Sequence, residues 1–348
     1  MIVWIILIVL GFILLIKGAD FLVDGASNIA KKFHIPDIII GLTIVSIGTS
    51  MPELFVSITS AIEGYPDMAV GNIVGSNIAN LLLILGMSSI IRSIKFKRET
   101  RLIEIPMCLG ISLLFVLLCN LGHDVTRFDA GILIVLFVMF IGYTIVMAKK
   151  GEEFDKEEDD EDVKDKTKSS KSTIKDIIFL ILGAVLLKFG GDLTVNNAVE
   201  VARHFGLSEK LISVTILAIG TSLPELVTSV SAAFKGKSDI AIGNILGSNI
   251  FNMLLIIGVS AMIKPIVYNV SYNLDMIFLI GGTLVLSLFP IIPPKNKMSR
   301  GNGLVYVLIY VGYLVSLFVK WCIKKVFKIA IWKGVINEWK TKFGYKIR

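Results

Sequence analysis

"IVSIGTSMPELFVSI", residues 44–58, plants a carboxylate, Glu53, beside a proline inside an otherwise apolar run, and "ILAIGTSLPELVTSV", residues 216–230, repeats the arrangement around Pro224 and Glu225. Burying one ionisable group in such surroundings is expensive, and two in matching places point to function rather than packing. On a helix, Thr49 and Ser50 stand four and three residues before Glu53, so the three share a face. Pro52 has no N–H, so the carbonyl of Gly48 loses its helical partner and the helix kinks. A carboxylate, two hydroxyls and freed carbonyl oxygens then face one way, and Thr221, Ser222, Pro224 and Glu225 reproduce the set.

The surroundings are those of a membrane protein. The chain has 348 residues, 54% of them hydrophobic, and a mean hydropathy of +0.78, well above a soluble globular chain. Apolar segments long enough to cross a bilayer core follow one another along almost the whole length. The N-terminal "MIVWIILIVLGFILLI" lacks a positive leader and a small-residue cleavage site, so it reads as the first span rather than a signal peptide. Cys108, Cys119 and Cys322 show no metal-ligand spacing, and His34, His123 and His204 lack partners at such spacing. The net charge of +7 resides in loops and at the C-terminal end, where membrane topology accounts for it, so no nucleic acid is implied.

Sliding the chain by 172 positions lays residues 18–90 on 190–262 with about 34 of 73 positions identical. A repeat of that length is a fold-level signal. Ten spans are expected, at 2–24, 37–62, 67–91, 103–121 and 128–148, then 174–198, 209–234, 239–263, 271–292 and 302–320. Five spans per half force the halves into opposite orientations, giving an all-α integral membrane fold of two inverted-topology five-helix repeats. The expected division is a first repeat over 1–148, a charged linker over 149–173, a second repeat over 174–320 and a basic tail over 321–348. With the N-terminus outside, the loops holding Lys31, Arg92, Lys97, Lys235 and Lys297 fall inside with the linker, while Arg127, Arg203, Lys210 and Lys264 fall outside. The linker is then cytoplasmic; the basic tail is the exception, since after a tenth span it emerges outside, so either late charges are tolerated there or the count of spans is off by one.

The next span of each half adds carboxamides. Asn72, Ser76 and Asn80 recur every four positions with Asn77 alongside, and Asn244, Ser248, Asn249 and Asn252 follow suit. Gly71 with Gly75, and Gly243 with Gly247, form GxxxG faces that permit close helix contact. Asn72, Asn77, Asn244 and Asn249 read equally well as hydrogen-bonding glue between helices; two matched acids make poor glue. Carboxylate, hydroxyl, carboxamide and carbonyl are all hard oxygens, which suit hard cations. A cage of kinked backbone favours calcium over magnesium, and sodium, of similar size, can share the same oxygens. If both ions need the same two glutamates they exclude each other, and exchange follows. Asp20 and Asp192 also match between halves and read as packing or capping groups near helix ends; Lys17 and Lys188 read as snorkelling.

At these residues the pairs "GTSMPEL"/"GNIVGSNIAN" and "GTSLPELVTS"/"GNILGSNIFN" resemble the two alpha-repeats of the sodium/calcium exchanger family, within the cation/calcium antiporters. The resemblance covers nearly the whole ten-span body, though not the linker or tail. It implies alternating access by sliding of the first and sixth helices, transport of Ca2+ and Na+ with no cofactor and no enzymatic activity, and a multi-pass place in the plasma membrane as a functional monomer. Carried over by motif, the ion ligands are Glu53, Thr49, Ser50, Ser76 and Asn80 with Glu225, Thr221, Ser222, Ser248 and Asn252, and the backbone oxygens of Ser46 and Ala218. Asn252 stands where an aspartate is common in the family. Gly75 and Gly247 occupy places where proton-coupled relatives carry an acid. Potassium-dependent and proton-coupled calcium antiport are the nearest alternatives; an intramembrane hydrolase or a passive channel explains the mirrored motifs less well.

Overall fold

The computed structural model describes residues 1–62, 66–122, 124–158, 170–205, 218–292 and 295–319. The tail 321–348 with Cys322, the linker centre 159–169, His123, Lys210 and the start of the seventh expected span lie outside the described residues. Among the described residues, each of the ten expected spans is represented by helix, in the expected order. Seven are long and apolar enough to cross a bilayer: α1 (Ile2–Lys32), α4 (Ala69–Ile91), α5 (Thr100–Leu121), α6 (Arg127–Lys149), α7 (Thr173–Val201), α10 (Ser238–Ile263) and α12 (Arg300–Val319). The second span is a broken pair, α2 (Asp37–Thr49) and α3 (Met51–Ile62), bent by 49°. The described part of the seventh comprises α8 (Ala218–Thr221) and α9 (Leu223–Phe234), and the ninth is the shorter α11 (Asn273–Leu288).

Two miniature ribbons fix the relation of the halves. After α4, β1 (Ile94–Lys95) pairs antiparallel with β4 (Lys297–Met298); after α5, β2 (Asp124–Val125) pairs with β3 (Ile266–Val267). Only α5 separates β1 from β2, and its 22 residues span about 33 Å at 1.5 Å per residue. The ribbons therefore lie at opposite ends of the bundle. Shifted by 172, β1 falls on β3, so equivalent segments sit on opposite faces, which is the inverted-repeat relation itself. The same pairings join loops that the Lys and Arg count assigns to one side.

The centre and the periphery differ sharply. In α10, 94% of the apolar stretch is buried and in α4 78%, against 22% in α1, α6 and α12. The outer helices turn residues such as Ile6, Val138 and Leu308 outward, as lipid-facing helices do. α1 and α7 run antiparallel along each other. A side chain on Gly11 would meet the backbone of Gly190, one on Gly18 that of Gly183 and Leu187, and one on Gly25 that of Asp176, each within 3 Å. Glycines spaced by seven residues let these two backbones touch.

α1 is longer than its apolar stretch implies, because Gly18–Lys32 keeps small apolar residues facing α7 beyond residue 24. Asp20 is accordingly interior to the helix, not near its end. It accepts a hydrogen bond from the Ser231 hydroxyl (3.0 Å) and pairs with Lys235 (3.1 Å), which also binds Asp24 (2.7 Å). Lys188 bridges to Asp192 one turn on (2.9 Å) rather than simply reaching for the interface.

Candidate cation-binding site

The local chain chemistry builds the two helix breaks. Pro52 and Pro224 sit in the first turn of α3 and α9, where a missing N–H costs nothing. The preceding Ser50 (φ −84°, ψ 8°) and Ser222 (φ −87°, ψ 5°) leave helical geometry for the bridge region in the same way. Each break brings the carbonyl end of one short helix and the N–H end of the next to one place. Glu53 and Glu225 fall in the first turn of the second helix, where the helix dipole favours a negative charge. Carbonyls at the end of α2, those of Ser46 and Gly48 among them, present partial negative charge to the same region.

Packing then closes the region off. α2 lies on α10 with almost no separation: a methyl on Gly243 would stand 2.5 Å from the Ile38 carbonyl, and one on Gly247 2.5 Å from that of Leu42. Gly71 of the first GxxxG face instead meets the Tyr272 hydroxyl. α3 packs on α10 and α9 on α4, so each broken helix borders the central helix of the opposite repeat. Glu53, Thr49, Ser50, Ser46, Ser248 and Asn252 are wholly buried, and Ser76, Asn80, Ser222 and Glu225 nearly so. Thr221 is half-buried; Ala218 opens α8, its side chain outside the described set.

Several of the expected ligands touch. The Ser50 hydroxyl donates to Glu225 Oε1 across the repeats (2.8 Å), and the Ser76 hydroxyl to Glu53 Oε1 (3.3 Å). Thr221 stands beside Glu53, Thr49 beside Glu225, and the two carboxylates lie within electrostatic range of one another. The Thr49 hydroxyl bonds the Ser46 carbonyl (3.3 Å) and Asn244 Oδ1 (3.1 Å), while Asn244 donates to Ser229 (2.9 Å), as Asn72 does to Ser57 (3.3 Å). The Ser46 hydroxyl is engaged by its own helix at Leu42 (2.8 Å), and its backbone oxygen accepts from the Ser50 N–H (3.0 Å) as well as from Thr49.

What remains unsatisfied defines the chemistry. Glu53 Oε2, Glu225 Oε2, Asn80 Oδ1, Asn252 Oδ1, Thr221 Oγ1, Ser222 Oγ and Ser248 Oγ are buried side-chain oxygens without a hydrogen-bond partner. Buried polar atoms are ordinarily paired, so a concentration of orphaned oxygens marks a place shaped for something that supplies positive charge. Among the described residues no three His, Cys, Asp or Glu gather as a metal cluster. The formal charge there thus rests on two carboxylates, enough for one divalent ion, and the remaining ligands are neutral oxygens. Two features lay beyond sequence reasoning: π-helical turns at Ala79–Ile84 and Asn252–Ile256, next to both candidate carboxamides, and the contacts of Asn77 and Asn249. Their one sequence signal was recurrence in both halves.

A family model described as sodium/calcium exchanger protein matches residues 3–146 and 175–319. The inner membrane protein YrbG of Escherichia coli is 33% identical over 323 residues, covering 89% of this chain and 94% of the relative. The sodium/calcium exchanger MaX1 of Methanosarcina acetivorans is 32% identical over 347 residues, covering 90% and 97%. Among solved structures, the sodium-calcium exchanger NCX_Mj soaked with zero Na+ and Ca2+ superposes with a TM-score of 0.79 at 28% identity, covering 91% of this chain and 99% of that one. Matched over both halves and carrying an oxygen-lined centre between them, the chain belongs to the sodium/calcium exchanger family: it is a membrane-embedded cation/Ca2+ antiporter, not an enzyme.

Proposed function

We propose that this protein exchanges Ca2+ for Na+ across the plasma membrane by alternating access to the site between the two helix breaks. The observation that carries the reading is the set of four orphaned oxygens, Glu53 Oε2, Glu225 Oε2, Asn80 Oδ1 and Asn252 Oδ1, all at most 1% exposed. With the Thr49, Ser50, Ser76, Thr221, Ser222 and Ser248 hydroxyls and the Ser46 and Ala218 carbonyls, they form a hard-oxygen donor set of charge −2. One Ca2+ neutralises it; Na+ ions use the same carboxylates, so the two cargoes compete instead of travelling together. The names of MaX1 and NCX_Mj, both sodium/calcium exchangers, support sodium as the counter-ion. Residues 1–148 and 174–320 are the two repeats of this reading. Residues 149–173 are a cytoplasmic linker, supported by the basic loops assigned to that side, and 321–348 a basic tail; the chain works as a monomer.

Asn80 and Asn252 argue against a co-transported potassium ion. With both carboxylates balanced by calcium, a further monovalent ion leaves net positive charge in a medium that penalises it. The test is calcium uptake into sodium-loaded proteoliposomes with potassium replaced by choline on both sides. Uptake is expected to continue and to vanish without the sodium gradient. A strict need for potassium, drive by a proton gradient, or calcium flux without any counter-ion gradient would overturn the assignment.

A further inference from the structure

We propose that Asn77 and Asn249 are positioning residues that decide which end of the Asn80 and Asn252 carboxamides faces the ion; the inference rests on the proposed site and deepens it. Asn77 Nδ2 donates to the backbone carbonyl of Asn249 (3.2 Å), and Asn249 Nδ2 to that of Asn77 (3.4 Å). A backbone carbonyl only accepts, so each of these side chains must turn its amide nitrogen toward the opposite helix. Their Oδ1 atoms are thereby left to accept. Asn252 donates to Asn77 Oδ1 (2.9 Å), and Asn80 to Asn249 Oδ1 (3.1 Å). Each candidate ligand thus has its amide nitrogen held by one donation to the opposite repeat, while its oxygen remains buried without a partner.

The relay thus starts at two backbone oxygens, which cannot flip, and ends at two side-chain oxygens. Reversing either candidate ligand would set oxygen against oxygen at Asn77 or Asn249 and turn an N–H2 group toward the cation, a doubly unfavourable change. Each orienting residue belongs to the repeat opposite the ligand it orients, although Asn77 and Asn80 lie only three residues apart on one helix. α4 and α10 are joined by this exchange inside the bundle, with all four asparagines at most 1% exposed.

The test measures KM for calcium and kcat in sodium-driven uptake by reconstituted full-length protein carrying Asn77→Leu, Asn252→Ala, and both together. Asn77→Leu is expected to raise KM about 10- to 100-fold, the usual cost of losing a group that orients a metal ligand, with kcat less affected. Over Asn252→Ala, the same change is expected to add nothing, because it acts through that carboxamide. Melting temperature reports whether each variant is folded; Asn77→Ser replaces Asn77→Leu if the latter is not, and Asn249→Leu with Asn80→Ala repeats the cycle on the mirror side. An unchanged KM in folded Asn77 variants overturns the relay, and so does a loss that simply adds to that of Asn252→Ala. No effect of Asn252→Ala by itself overturns the ligand assignment beneath it, a failure visible in that arm alone.

Discussion

Replacing Glu225 by glutamine removes one of the two formal charges while keeping the shape. The side chain is 1% exposed, and its Oε1 accepts from Ser50 at 2.8 Å, a bond an amide oxygen can still accept. Only the electrostatics of the free Oε2 change appreciably. A carboxylate roughly 2.4 Å from Ca2+ in an effective dielectric of about 20 gains on the order of 14 kcal/mol in gross attraction, and half as much from Na+. Desolvation of both partners cancels most of this, and breaking a buried charge pair costs about 3–5 kcal/mol net. For calcium that is a hundredfold to ten-thousandfold loss of apparent affinity, at about 1.4 kcal/mol per decade. For sodium the halved charge gives roughly a tenfold to hundredfold loss. The logarithm of the calcium loss is thus expected to be about twice that of the sodium loss. The assay is radioactive calcium uptake into sodium-loaded proteoliposomes, with sodium affinity taken from its inhibition of calcium uptake. Near-normal calcium affinity, or equal losses for both ions in a folded protein, would refute the reasoning.

Gly243→Ala is expected to lower stability by about 1–3 kcal/mol, because its methyl meets only backbone, the Ile38 carbonyl and Gly41 Cα, at 2.5 and 3.0 Å; Gly110→Ala, with nothing within 4 Å, serves as the neutral control in detergent melts. Burial disfavours the Lys97 ammonium, but the Asp239 carboxylate at 2.8 Å outweighs it and holds the pKa above the usual lysine value. Its stabilising contribution should therefore persist through neutral pH and disappear as pH rises past that value, so the melting difference between Lys97→Met and the parent closes in strong alkali; a difference that widens there would contradict the sign. In a Cys322→Ser background, a cysteine introduced as Ser170→Cys should resist an impermeant thiol reagent in intact cells and react after permeabilisation, and labelling from outside would overturn the cytoplasmic linker.

Much of the architecture was legible in one dimension because hydropathy and spacing are local properties. Apolar lengths marked the ten spans, and the 172-residue offset with five spans per half required inverted topology. Pro52 and Pro224 announced the breaks, since a missing N–H acts wherever the residue sits. Glu53 and Glu225 stood out because an acid in an apolar run has few innocent explanations. Span ends were less well drawn. The small residues that continue α1 to Lys32 have weak hydropathy and carry charges, and only their fit against α7 keeps them helical and packed.

Contacts between residues far apart in the chain were decided by the tertiary structure alone. The repeat makes Asn77 equivalent to Asn249 but says nothing about whether they meet; they do because α4 and α10 cross at that level. Nor does it foretell departures from symmetry. Ser50 reaches across to Glu225, while its counterpart Ser222 leaves its hydroxyl unpartnered. Lys235 binds Asp20 and Asp24, whereas the position equivalent to Lys235 in the first half is Glu63, of opposite charge. Sequence thus supplied the oxygen donors and their spacing along each helix. Which of them have their hydrogen-bonding capacity consumed, and which are left free for a cation, depends on angles and distances between helices about 170 residues apart, and those exist only once the bundle is packed.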